Sequence, residues 1–295
     1  MNDRPTRATT AGQRYLDLRR LASQTGRATD ELQQLYALEG FLDRLGRSRH
    51  ARRLVLKGGV LLAAYDARRP TRDIDFSANA SAGDIEAIRA LVIDIAAIGL
   101  DDGLFFDMSS PTAEPIREEE PYSGVRVTLQ VSLASFTARF HVDINVGDPV
   151  WPAPGPVRLP RLLGGEPLEV IGYPVVMVLA EKLVTALQRG TANTRWRDFV
   201  DIASLSPHTA PDEVELAEAI RRVARYRLAE LSPLSYVLEG FGPIAQQRWA
   251  GWRRKQRLEA STPESFDALL ATVISWGDAA LRSAAESPIT RGVEG

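Results

Sequence analysis

Two carboxylates one residue apart, Asp73 and Asp75, lie in the stretch Thr71-Arg72-Asp73-Ile74-Asp75-Phe76. On a strand, side chains alternate, so both acids would share one face while Ile74 and Phe76 take the other. Carboxylates that close repel each other unless a cation lies between them. An all-oxygen ligand set favours a hard ion, here Mg²⁺ held partly by substrate phosphates. Upstream, Lys57-Gly58-Gly59 precedes a short apolar helix pattern. Glycines there let backbone approach a ligand and leave N–H groups at a helix start for a phosphate. The chemistry indicated is a nucleotide placed between the glycines and a metal. An isolated Asp-x-Asp also occurs on solvated strand edges and in turns, so the weight rests on its company.

A third carboxylate follows. Val125, Val127, Leu129, Val131 and Leu133 alternate with polar residues, as do Phe140, Val142, Ile144 and Val146. The pattern predicts two half-buried strands in a hairpin. The polar face of the second strand carries His141, Asp143 and Asn145. An acid at the centre of a strand needs a reason, and two are open: a shared metal, or pairing with one of the many arginines. His141 reads as a hydrogen-bonded wall residue rather than a ligand. Lys57, Lys182 and Lys255 are the only lysines among 36 basic residues. Where lysine survives such a bias, a site that wants a compact point charge, such as a phosphate contact, is one explanation. Lys182, Thr185 and Arg189 form a polar stripe on a predicted helix, Val175 to Arg189, and a second helix carries Arg195, Arg197, Asp198 and Asp201. As a hairpin, these helices would present Lys182, Arg189 and Arg197-Asp198 to a catalytic cleft. A solvated face is the competing reading.

The elements that must position these residues read as α/β. Helices are expected over Arg14 to Ser23 and Thr29 to Leu45, with Thr29 as N-cap. A strand follows at Leu54 to Leu56, then a helix at Val60 to Tyr65 and a turn at Arg68-Arg69-Pro70. Ser81 is expected to cap a helix reaching Ile98. Leu104 to Phe106 reads as a short strand, followed by a loop with Pro111, Pro115, Pro121 and a solvated run Glu118 to Glu120. From Asp148 to Pro174 the proline content predicts an irregular crossing with one strand at Leu168 to Ile171. Beyond Pro207 the pattern is helical, broken near Pro211, Pro233, Gly240 to Pro243 and Pro263. The resulting division is a helical N-terminal segment 1–50, an α/β core 51–172 and a helical C-terminal domain 173–295.

Net charge −2 and pI near 6.0 argue against a protein that coats nucleic acid by bulk electrostatics. Two basic clusters remain candidates for local contact: Arg221, Arg222, Arg225 and Arg227, then Arg248, Arg253, Arg254, Lys255 and Arg257 interleaved with Trp249 and Trp252. Arginine meets phosphate and indole can stack on a base; the alternative is a solvated helix with core tryptophans. The absence of cysteine excludes disulfides, thiolate zinc sites and cysteine nucleophiles. With no leader-like start and no apolar run of membrane-spanning length, the expectation is a cytoplasmic protein with no membrane partner.

As an ordered set, Leu56-Lys57-Gly58-Gly59, Arg69, Thr71, Asp73-Ile74-Asp75-Phe76, Glu181-Lys182-Leu183 with Ala186, and Arg197-Asp198-Phe199-Val200-Asp201 resemble the AbiEii/AbiGii group of nucleotidyltransferase toxins, which includes the mycobacterial MenT toxins. The motifs cover about half the chain, Leu54 to Leu205. The resemblance implies a polymerase-β-like nucleotidyltransferase core with a mixed sheet, helical lead-in and helical C-terminal domain. It implies the toxin of a toxin–antitoxin system, which moves NMP from an NTP to an RNA 3′ end, the tRNA acceptor stem first, releases pyrophosphate and blocks translation. On this reading Asp73, Asp75 and Asp143 hold two Mg²⁺ ions about 4 Å apart. Asp143 also accepts the 3′-hydroxyl proton, and Lys57, Gly58, Gly59, Thr71, Lys182, Arg189, Arg197 and Asp201 serve the nucleotide. Asp198 joins the catalytic set by orienting Lys182. One departure is Val60, where the superfamily commonly has a serine or threonine for the triphosphate. Two rival readings are transfer to a small molecule or protein hydroxyl, and a non-enzymatic nucleotide- or partner-binding protein on a degenerate fold.

Overall fold

The computed structural model describes residues 5–67, 71–78, 84–116, 124–147 and 149–286. Arg69, Ser81 and the run Glu118 to Glu120 lie outside them. The chain divides into two compact units, Met1–Asp148 with Pro154–Tyr173, and Pro149–Ala153 with Pro174–Gly295.

The first unit opens with α1 (Thr10–Thr25), whose Thr9 cap accepts from the Gly12 N–H, and α2 (Thr29–Arg47). Thr29 is the first helical residue and not the expected cap; Ala28 takes that place in extended conformation without a side-chain bond. Asp30 and Glu31 in the first turn and Arg44 and Arg47 in the last still complement the helix dipole. The N-terminal helices belong to the core, since Leu32, Leu38, Phe41 and Leu42 of α2 are buried. Then come β1 (Leu54–Lys57), the short α3 (Gly58–Leu61) running into a 3₁₀ turn (Leu62–Tyr65), β2 (Asp73–Ala78) and α4 (Ile85–Ala96), capped by Asp84.

β3 runs from Leu104 to Ile116, far beyond the expected short strand. It crosses Pro111 and Pro115 because it is the sheet's edge, where a missing N–H breaks no second ladder, and because its register shifts between Asp107 and Thr112. β4 (Gly124–Leu133) and β5 (Phe136–Val146) form the expected hairpin. The proline-rich crossing holds two strands instead of one, β6 (Gly155–Leu159) and β7 (Leu168–Gly172), and β6 tolerates Pro156 as the opposite edge. The seven strands are ordered β3-β4-β5-β2-β1-β7-β6, with β2–β5 and β1–β7 parallel and the rest antiparallel. Ile74, Phe76, Val142 and Ile144 form its apolar face. Phe41 of α2 anchors there, 5.1 Å from Phe140 and 6.3 Å from Phe106, contacts worth about 1 kcal/mol each beyond area burial.

The second unit is helical: α5 (Val175–Arg189), α6 (Trp196–Thr209), α7 (Glu213–Tyr226), α8 (Leu234–Val237), α9 (Phe241–Gln256) and α10 (Phe266–Glu286). α6 continues through Pro207 to Thr209, because a proline so near the C-terminus disturbs only the last turn. Trp196, Phe199, Phe241, Trp249 and Phe266 make an aromatic core, with Trp196 and Phe241 stacked at 6.0 Å. Of the two readings of α9, the core one holds for Trp249, which is fully buried and whose indole N–H donates to the Pro263 carbonyl at 3.2 Å. Arg253 is also buried, donating to the Thr262 hydroxyl and to the Thr262 and Glu259 carbonyls, so it holds a turn and presents no free fork to phosphate. Arg248, Arg254, Lys255 and Arg257 are exposed.

Candidate active site

The hairpin and the parallel β2–β5 pair carry the acids into register. Read across the sheet, Lys57, Asp75, Asp143, Arg126 and Glu114 are successive partners on β1, β2, β5, β4 and β3. Directly paired residues share a face, so this is one charged row, with two carboxylates adjacent at its centre. A second row, two residues along, brings Asp73, His141, Thr128 and Thr112 together. His141 Nδ1 lies 3.0 Å from the Thr128 hydroxyl, the wall position expected of it.

Local chemistry sets each acid. The Asp73 carboxylate accepts from the Thr71 hydroxyl at 3.3 Å and the Arg72 N–H at 3.2 Å. Thr71, assigned above to a phosphate, is buried and turned to Asp73. Asp143 is buried and gripped by Arg126, Nε to Oδ1 at 2.8 Å and Nη2 to Oδ2 at 2.6 Å. Of the two readings of this acid the arginine pairing is the one observed, and the same residue neighbours Asp75 across the parallel strand pair. The bond to Asp143 raises the Arg126 pKa above the usual arginine range, with Asp73 and Glu114 adding to it.

Gly58 has φ +68°, and a Cβ there would fall inside the Asp75 carboxylate. The glycine thus lets backbone lie against an acid. Gly59 and Val60 are buried, and Lys57 is buried with its ammonium 5.6 Å from the centre of the Tyr173 ring. Tyr65 ties the glycine helix to the end of β7 by donating to the Tyr173 carbonyl at 2.6 Å; burial pushes its pKa up to about 12. Gly58→Ala is expected to cost roughly 1–2 kcal/mol of stability for the left-handed backbone alone and to depress any activity that needs Asp75. Gly99→Ala, where a Cβ meets open space, should do neither; urea unfolding and activity measured on both variants check this.

In the helical unit, Lys182 on α5 lies between two acids of α6, 2.6 Å from Asp198 and 2.8 Å from Asp201. The stripe expected beside it is divided. Thr185 is buried, donating to the Glu181 carbonyl and accepting from Arg227, whereas Arg189 ends the helix. Arg197 is exposed and donates to Gln256 at 3.3 Å.

A family model described as "Nucleotidyl transferase AbiEii toxin, Type IV TA system" matches residues 40–272. The chain belongs to this family of toxins. Membership makes it a nucleotidyltransferase-family protein of a toxin–antitoxin system, with an antitoxin as the implied partner. No curated protein matches the chain. Its fold is similar to that of a candidate nucleotidyltransferase from H. pylori, at TM-score 0.50 and 11% identity, covering 88% of this chain and 97% of that one. JHP933 from Helicobacter pylori is similar at TM-score 0.50 and 10% identity, covering 88% and 94%. The likeness extends to a mixed-sheet nucleotidyltransferase fold with helices at both ends. No described helix is long and apolar enough to cross a membrane.

The donor set suits a hard cation: Asp73 and Asp75 on one face, Asp143 beside Asp75, all oxygen. Among the described residues no three such side chains close on one point, in keeping with Asp143 facing Arg126. Arg126 is the residue that sequence reading missed. Its signal was present: the two-residue turn Ala134–Ser135 pairs Leu133 with Phe136, and counting back from it sets Arg126 opposite Asp143.

Proposed function

We propose that this protein transfers a nucleoside monophosphate from an NTP to the 3′ end of an RNA, with the tRNA acceptor stem as the first candidate, and so blocks translation in the cytoplasm until its antitoxin intervenes. The observation that carries the reading is the register placing Asp73, Asp75 and Asp143 on one sheet face, with the Gly58 backbone against Asp75. Mg²⁺ held by these acids would supply Lewis-acid stabilisation of the charge on the phosphoryl and leaving oxygens. The acceptor 3′-oxygen forms a bond to the α-phosphorus, the bond from that phosphorus to the bridging oxygen of pyrophosphate breaks, and the hydroxyl proton passes to Asp143. Thr71 and the Arg72 N–H hold the Asp73 carboxylate at a fixed angle, so its orientation does not have to be found during the reaction. Gly58 and Gly59 offer backbone N–H groups for the phosphates in place of the hydroxyl absent at Val60. Lys182, Arg189, Arg197 and Asp201 are proposed to serve the nucleotide, with Asp198 and Asp201 fixing the lysine.

A second reading, transfer to a small molecule or protein hydroxyl, is favoured by one observation. With Trp249 and Arg253 buried, the stripe that would grip RNA is thinner than the sequence suggested. Incubating the protein with total RNA, Mg²⁺ and each labelled NTP, beside Asp73→Asn, separates the readings on a denaturing gel. Label in the tRNA band with the parent alone is the expected result. Label in protein or in a small product moves the acceptor, and absence of label in every fraction overturns the transferase reading.

A further inference from the structure

The register that aligns the acids also sets one arginine among them. Arg126 faces Asp143 on one flanking strand and Glu114 on the other. Direct cross-strand partners have Cβ atoms about 5 Å apart, so an arginine side chain can reach either carboxylate. In the structure it takes Asp143 and uses both oxygens of that acid. The two partners differ in freedom: the Asp143 side chain is 11% exposed and that of Arg126 is 37% exposed. Glu114 is exposed on the edge strand. The acid is therefore fixed, and the guanidinium is the part with room to turn.

We propose that Arg126 is a positioning residue that exchanges carboxylates: it holds Asp143 until a divalent cation takes that acid's oxygens, and then it turns to Glu114. The proposal rests on the reading of Asp143 as a metal ligand. A guanidinium fork and a hard cation approach a carboxylate through the same lone pairs, and two cations on one pair of oxygens repel strongly. One must leave. Glu114 supplies the departing guanidinium with a partner, so the loss of the two-pronged bond to Asp143 is partly offset by a more exposed ion pair. The arginine then neutralises the edge of the site in both states. Before exchange it offsets the repulsion between Asp143 and Asp75; after exchange the cation does so. Metal affinity is consequently set by competition with Arg126 as well as by the number of acids.

The test is a Mn²⁺ titration of the nucleotide-free protein, followed by the EPR signal of free Mn²⁺ at constant ionic strength, with the fold of each variant checked by circular dichroism. Asp143→Asn comes first. Weaker binding is expected, and unchanged binding would overturn the metal assignment of Asp143 together with this proposal. Arg126→Lys keeps the charge but loses the two-pronged grip, and it is expected to bind Mn²⁺ roughly threefold to tenfold more tightly than the parent. Parental affinity in Arg126→Lys, alongside weakened binding in Asp143→Asn, overturns the exchange and leaves the metal site standing. Glu114→Gln removes the second resting place and should weaken Mn²⁺ binding in the parent while changing nothing in an Arg126→Gln background. An effect that persists there would be one of plain charge and would also overturn the exchange.

Discussion

Asp73→Asn is expected to abolish labelling of the acceptor, a loss of about a hundredfold to a thousandfold or more, while the thermal unfolding midpoint stays level or rises. The two halves of this expectation have separate causes. Asparagine keeps an acceptor oxygen for the Thr71 hydroxyl and the Arg72 N–H, so the local turn into β2 survives. It removes one negative charge from a face that already carries Asp75 and Asp143 in adjacent register, which relieves repulsion in the metal-free protein. What it removes from the reaction is an anionic ligand, and an amide oxygen does not replace a carboxylate for a hard cation. Transfer assayed with each labelled NTP, and a melting curve with and without Mg²⁺, test both halves. A variant as active as the parent would show that Asp73 holds no essential ion.

The second large effect is on stability. Lys182→Met is expected to cost about 3 kcal/mol, because it removes the ammonium that now pairs with two largely buried carboxylates. Asp201 is buried at 3% exposure and Asp198 is at 15%, while Lys182 itself is at 13%. Neither acid can recover full hydration without moving α6 away from α5. The loss should be partly reversed by neutralising the acids as well, in Lys182→Met with Asp198→Asn and Asp201→Asn, since an amide beside an apolar group costs less to bury than a carboxylate there. Urea unfolding of the single and triple variants measures this. Lys182→Arg separates structure from chemistry: it keeps a cation for the two acids, so most of the stability should remain. If the compact ammonium is required by the nucleotide, transfer will still fall.

Local rules carried much of the architecture. Alternation in Asp73-Ile74-Asp75-Phe76 and in the 125–133 and 140–146 runs gave the faces of β2, β4 and β5, because a period of two follows from backbone geometry and needs no partner. Helical spacing gave α2, α5 and α10, whose apolar stripes are long enough to read without context. The extent of β3 and the existence of β6 depart from the sequence expectation for one reason. Proline reads locally as a stop, and whether it stops a strand depends on which strand is an edge.

Sequence by itself determined the chemical inventory: acids at the spacing of one sheet face, glycines before a short helix, an ammonium among arginines, and the ordered motifs of the AbiEii family. Tertiary structure alone decided who stands next to whom. Parallel pairing set Asp143 beside Asp75, the β3–β4 register put Glu114 opposite Arg126, and burial withdrew Trp249 and Arg253 from any nucleic-acid surface. The physical reason is that a side chain's face is a local property of the backbone, whereas its neighbour across a strand and its access to water are fixed only when segments distant in sequence have packed.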